Sequence, residues 1–151
     1  MQGKLLTAIG SMALAMSGTA WAAGDLSRAD VQTVVLEMGT NEDGSMYFKP
    51  SELNFETGKA YKLHMVNPDE IKHEVALHEM LERIFTRKVE IETAEGELVA
   101  EIKGQIHEIE IGPHQAADWY FVPIQPMEAG EITCEIAGHK EAGMRATAHI
   151  R

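Results

Sequence analysis

The chain has 151 residues, 44% hydrophobic and 25% charged, the profile of one soluble domain rather than of two domains with a cleft between them. Thirteen basic residues against 24 acidic ones give a formal net charge of −11, the wrong sign for binding a nucleic-acid backbone. A single cysteine, and 13 glycines beside only 5 prolines, exclude an intrachain disulfide scaffold, a collagen and a Pro-rich disordered chain.

In chain order, residues 1–22 read as a signal peptide. Lys4 supplies the positive start, residues 5–20 are apolar, and Ala20-Trp21-Ala22 offers small residues around a cleavage point. Gly10, Ser11, Ser17 and Gly18 interrupt the run, which argues against the alternative of an uncleaved anchor, since a span wants about 20 strongly apolar residues. The mature domain is then 23–151, with twelve basic and 24 acidic residues and a charge of −12, exported to the periplasm and with no membrane insertion after leader removal.

Strands are predicted at 31–38, 46–48, 53–55 and 60–66; in the last, Tyr61, Leu63 and Met65 alternate with Lys62 and His64. Asn67-Pro68-Asp69 breaks the pattern, and a strand resumes over 71–77. Residues 78–87 look helical, because Met80, Leu81, Ile84 and Phe85 form an apolar stripe between Glu79, Glu82 and Arg83. Further strands are predicted at 89–92, 98–102, 106–111, 119–122, 132–136 and 145–150, with a hairpin turn at 94–97. Short strands with turn signals about every 8–12 residues mean an all-β antiparallel sandwich or barrel. Trp119 and Phe121 read as core packing within it.

The chemistry is concentrated in one loop. Cys134, His139 and Met144 recur with four residues between each pair, in a segment that also carries Gly138 and Gly143. A thiolate, an imidazole and a thioether are soft, borderline and soft donors, a set that suits copper; a trigonal His₂Cys site with a long axial Met needs one further histidine. His73, just beyond the strand break, is the candidate. His64 alternates outward on a strand, His78 starts the helical segment, His107 and His114 fall among turns and glutamates, and His149 is near the end; all five read as surface residues.

These features resemble the cupredoxins, specifically exported bacterial single-domain blue-copper proteins of the plastocyanin and azurin kind. The resemblance rests on Phe48-Lys49-Pro50, on Leu53-Asn54-Phe55-Glu56-Thr57-Gly58, on Asn67 six positions before His73, on Trp119-Tyr120-Phe121 and on the Cys134, His139, Met144 loop. It implies an eight-stranded Greek-key sandwich with one copper near one end, held by His73, Cys134, His139 and Met144, and electron shuttling as the function. Two departures stand out: the long stretch 78–106, and Glu74 directly after His73. Catalysis is not expected. Copper buffering remains the alternative, because the same ligands serve it, although residues 24–34 lack the His and Met of a scavenging tail. A structural zinc site is a third reading, against which Met144 argues. The expected partners of a monomeric carrier are basic redox proteins, such as a cytochrome or an oxidase. Glu90, Glu92, Glu95, Glu97, Glu101, Glu108 and Glu110 would either steer them or merely be solvated.

Overall fold

A computed structural model describes residues 30–93 and 95–151; the expected signal peptide, 1–22, and the first residues of the expected domain lie outside the described residues. The described residues form β1 (Val31–Thr40), β2 (Met46–Lys49), β3 (Glu52–Phe55), β4 (Ala60–Asn67), β5 (His73–Ala76), a 3-10 helix (His78–Arg83), β6 (Ile84–Glu92), β7 (Leu98–Ile102), β8 (Glu108–Ile111), β9 (Gln115–Pro123), β10 (Met127–Thr133) and β11 (Arg145–Ile150). None of these residues forms a helix long and apolar enough to cross a membrane.

The strands make two sheets, one of six strands in the order β2-β1-β4-β9-β6-β7 and one of five in the order β3-β11-β10-β5-β8. The described residues are all-β, as expected, in eleven strands rather than the eight that the resemblance implies. Pairing is mixed, where the short strands predict antiparallel pairing throughout. β1 lies parallel to β4 and β3 parallel to β11, because in each case the intervening chain crosses over before the strands meet, and the other ladders are antiparallel. The helical segment is shorter than expected. Residues 84–87 belong to β6, where Ile84, Phe85 and Thr86 pair with Pro123, Val122 and Phe121 of β9; a sheet edge that offers unpaired backbone groups outweighs a weak helical stripe.

Alternation along β4 decides which face is core. Tyr61, Leu63 and Met65 are buried while Lys62, His64 and Val66 are half-buried, as a strand with one covered face requires. Opposite them, β9 contributes Trp119 and Phe121, both fully buried. Phe55, Tyr61 and Phe121 make an aromatic cluster with centroids 5.0–5.8 Å apart, and Trp119 Nε1 donates to Thr86 Oγ1 at 3.1 Å, so the indole's one donor is satisfied. Each such buried side chain contributes about 1.5–3 kcal/mol of apolar burial. Trp119 and Phe121 are therefore core residues.

The seven glutamates do not form one face. Glu90, Glu92 and Glu101 lie on β6 and β7 in one sheet, Glu108 and Glu110 on β8 in the other. Several are neutralised locally: Lys88 pairs with Glu90 and Glu101, Lys103 with Glu101 at 2.8 Å and Lys72 with Glu110 at 2.8 Å.

Strand directions bring the chain's informative loops to one end. The register sets Asn67 opposite Gln115 and His73 opposite Ile111, so the β4–β5 and β8–β9 connections lie side by side. The crossing from one sheet to the other is held by Asn67, which is fully buried. Its Nδ2 lies 2.8–3.0 Å from the carbonyls of Ile71, Ile111 and Gly112, and its Oδ1 accepts the Asp69 amide at 3.0 Å. Orphaned buried carbonyls and amides are costly. Asn67→Ala should therefore lower stability by about 2–4 kcal/mol, measured by denaturant unfolding of the metal-free protein. An unchanged midpoint would contradict this role for the amide.

Candidate metal centre

Cys134 leaves the ladder one residue after β10, and Met144 precedes β11. The eleven-residue loop 134–144 folds back on itself through its own backbone. Cys134 N donates to Met144 O at 3.3 Å, Met144 N to His139 O at 3.1 Å, His139 N to Ile136 O at 3.0 Å and Ala142 N to Gly138 O at 3.0 Å. Met46 N donates to Ala142 O at 2.9 Å, tying the loop to the start of β2. Two glycines make the path possible. Gly138 has φ +89° and Gly143 φ +105°, and a Cβ on Gly143 would sit 3.2 Å from the Met46 carbonyl oxygen; the left-handed region and this close approach both favour glycine.

Three donors converge where this loop meets the start of β5. One ligand atom from each of His73, Cys134 and His139 falls within 4.8 Å of the others. His73 Nδ1 is 3.2 Å from His139 Nδ1, which is 3.3 Å from Cys134 Sγ. The two imidazoles meet edge to face, centroids 5.1 Å apart. His73, Cys134 and Met144 are fully buried, whereas His139 is half-exposed. Among the described residues this is the one group of three or more His, Cys, Asp or Glu side chains arranged to hold a metal ion.

Electrostatics fit a site built around a cation. Cys134 Sγ accepts the Glu74 amide at 3.3 Å. Burial pushes the thiol pKa up, and the backbone N–H groups of Ile136 and Glu74 act in the opposite direction. Burial lowers the His139 pKa, helped by repulsion from His73, so the imidazole favours its neutral, metal-binding form. On the far side of His73, Nε2 lies 2.8 Å from Asp69 Oδ2. Burial raises the Asp69 pKa, but hydrogen bonds from Thr40 and His73 outweigh it and hold the carboxyl below its ordinary value.

Glu74 is buried, with Oε1 lacking a hydrogen-bond partner. Its pKa is pushed up by burial first and by Glu108 next. Its amide serves the Cys134 sulfur.

The remaining histidines stay outside the cluster. His64 binds Asp118 at 2.6 Å and His114 pairs with Glu70 at 3.1 Å. His78 contacts Thr133 and lies 3.1 Å from Glu135, and His149 contacts the Glu128 carbonyl. His107 lies just before β8 and is exposed. Asp69 is the residue that sequence reasoning took only as a strand breaker. Its spacing four before His73 was the available signal. The donor set of one sulfur and two imidazoles, with a buried thioether residue bonded through its backbone to Cys134 and His139, suits a soft or borderline metal and offers nothing to a hard one.

No family model matches the chain, and no curated protein matches it in sequence. Solved structures do match its fold. The McoA multicopper oxidase of Aquifex aeolicus aligns with a TM-score of 0.63 at 12% identity, over 81% of this chain and 30% of that one. The copper nitrite reductase of Nitrosomonas europaea aligns at 0.59 and 14%, over 87% and 52%. Auracyanin A, a "blue" copper protein of Chloroflexus aurantiacus, aligns at 0.51 and 12%, over 80% of this chain and 99% of that one. This chain thus spans less than a third of the oxidase and about half of the reductase, but nearly all of the auracyanin. The two mixed sheets, with the His73 and 134–144 loops meeting at one end, are those of a protein with the cupredoxin fold.

Proposed function

We propose that this chain binds one copper ion through His73, Cys134, His139 and Met144 and carries single electrons between redox proteins outside the cytoplasm. The observation that supports this most is the meeting of two imidazole Nδ1 atoms and one thiol sulfur, with His73 and Cys134 fully buried and His139 at the surface. Copper held by such donors supplies a one-electron couple.

The protein's own groups explain how such a site would be kept in order. The backbone N–H groups directed at Cys134 Sγ favour its thiolate form. Burial of His73, Cys134 and Met144 keeps water from competing for the donor positions. The hydrogen bonds across 134–144 hold the donors in one arrangement, which limits the reorganisation that an electron carrier must avoid. His139 is the donor residue that reaches the surface, and Gly138 beside it presents no side chain, so a partner docking there comes close. We place the carrier in the periplasm, with residues 1–22 as its leader.

A protein loaded with copper should show an intense visible thiolate-to-copper band that saturates at one equivalent per chain. Cys134→Ala should abolish the band and lower the metal-free unfolding free energy by about 1–3 kcal/mol, because the buried Glu74 amide loses its acceptor while the rest of the core is kept. A variant that keeps its colour would refute the assignment.

Met144→Leu should retain the band, since the thiolate and both imidazoles remain, and should raise the reduction potential by removing a weak donor to the oxidised metal. A potential equal to that of the parent would remove Met144 from the ligand set.

Net charge separates electron carriage from buffering. With a formal charge of −11 over the chain, bimolecular electron transfer to a basic cytochrome or oxidase domain should slow by about tenfold or more as the Debye length shrinks from ~30 Å at 0.01 M salt to ~8 Å at 0.15 M. Copper exchange with no measurable electron transfer at any ionic strength would favour the buffering role.

A further inference from the structure

Asp69 is held more firmly than a turn residue needs to be. Its amide donates to the buried Asn67 side chain at 3.0 Å, and Thr40 Oγ1, from the end of β1, donates to its Oδ2 at 2.7 Å. That same Oδ2 lies 2.8 Å from Nε2 of the fully buried His73. Residues from two strands and a turn thus hold one carboxylate against one ring nitrogen. Among the described residues, no lysine or arginine forms an ion pair with it.

The chemistry of this contact has one polarity. A carboxylate only accepts, so Nε2 must carry the hydrogen. A neutral His73 then presents the Nδ1 lone pair, and Nδ1 is the atom that faces His139 and Cys134. A backbone carbonyl or a side-chain amide would select the same tautomer; what the carboxylate adds is a negative charge behind the ring. Charge there increases the donor strength of Nδ1 and favours the more highly charged state of whatever Nδ1 binds.

We propose that Asp69 is a positioning residue for the metal centre: through its hydrogen bond to His73 it fixes the Nε2–H tautomer, and its charge lowers the reduction potential of the bound copper. This rests on the copper reading above, and the experiment distinguishes the two.

The test is Asp69→Asn, which keeps an acceptor for Nε2–H and removes the charge, studied in the copper-loaded full domain by voltammetry and visible spectroscopy. The thiolate band should persist, and oxidised copper should lose about tenfold in affinity relative to reduced copper, an upward shift of about 59 mV for a one-electron couple. A merely structural Asp69 would leave the potential where it was, so a retained band with an unmoved potential overturns the proposal and leaves the copper reading intact. A parent protein with no thiolate band overturns both. Should the variant fail to fold, the metal-free parent protein decides. Long-range proton–nitrogen NMR at mildly alkaline pH should find His73 protonated on Nε2, and a proton on Nδ1 instead overturns the role assigned to Asp69.

Discussion

A buried amide governs the part of this molecule that matters for function. Where the chain leaves the six-stranded sheet for the five-stranded one, Asn67 takes three carbonyls of two different connections as acceptors and receives the Asp69 amide in return. Backbone groups at such a crossing have no ladder to join and no water to reach, so they must be satisfied by a side chain. The same knot delivers His73 to the first position of β5 and Asp69 to the back of its ring. The convergence of His73 with the 134–144 loop is in this sense a by-product of satisfying a sheet-to-sheet crossing.

The second half of the centre is joined to the first through sulfur. Because β5 and β10 are neighbours, with Ala76 opposite Thr133, Cys134 emerges beside the start of β5 and its sulfur accepts the Glu74 amide. The 134–144 loop is then closed from both ends, by the Cys134–Met144 backbone contact and by Met46 on Ala142. Burial disfavours a free thiolate here. A cation bound there, as proposed above, would reverse that preference. His139 alone among the converging side chains reaches the surface, which confines any close approach by a partner to one patch around Gly138.

Much of this was legible before the structure. The period-two alternation over 60–66 identified β4 and its buried face, because a sheet with one covered side imposes that pattern directly. The spacing of Cys134, His139 and Met144 located the loop, and the strand break at Asn67 pointed to His73. Other features were not readable from local pattern. The strand expected at 132–136 lies instead at Met127–Thr133, since apolar Ile136 resembles a strand residue whether or not its backbone is in a ladder. Residues 84–87 looked helical until β9 supplied partners for them. Asp69 escaped notice, and Glu74 stood out only by its place after His73, because their contacts, of Asp69 to Thr40 and His73 and of the Glu74 amide to Cys134, are ones that no period of 2 or 3.6 encodes.

The ligand set itself is tested most directly by X-ray absorption at the copper edge of the loaded full domain. The account predicts an inner shell of one sulfur and two imidazole nitrogens, with the sulfur contribution lost in Cys134→Ala. A first shell made only of oxygen and nitrogen, unchanged by that substitution, would contradict it.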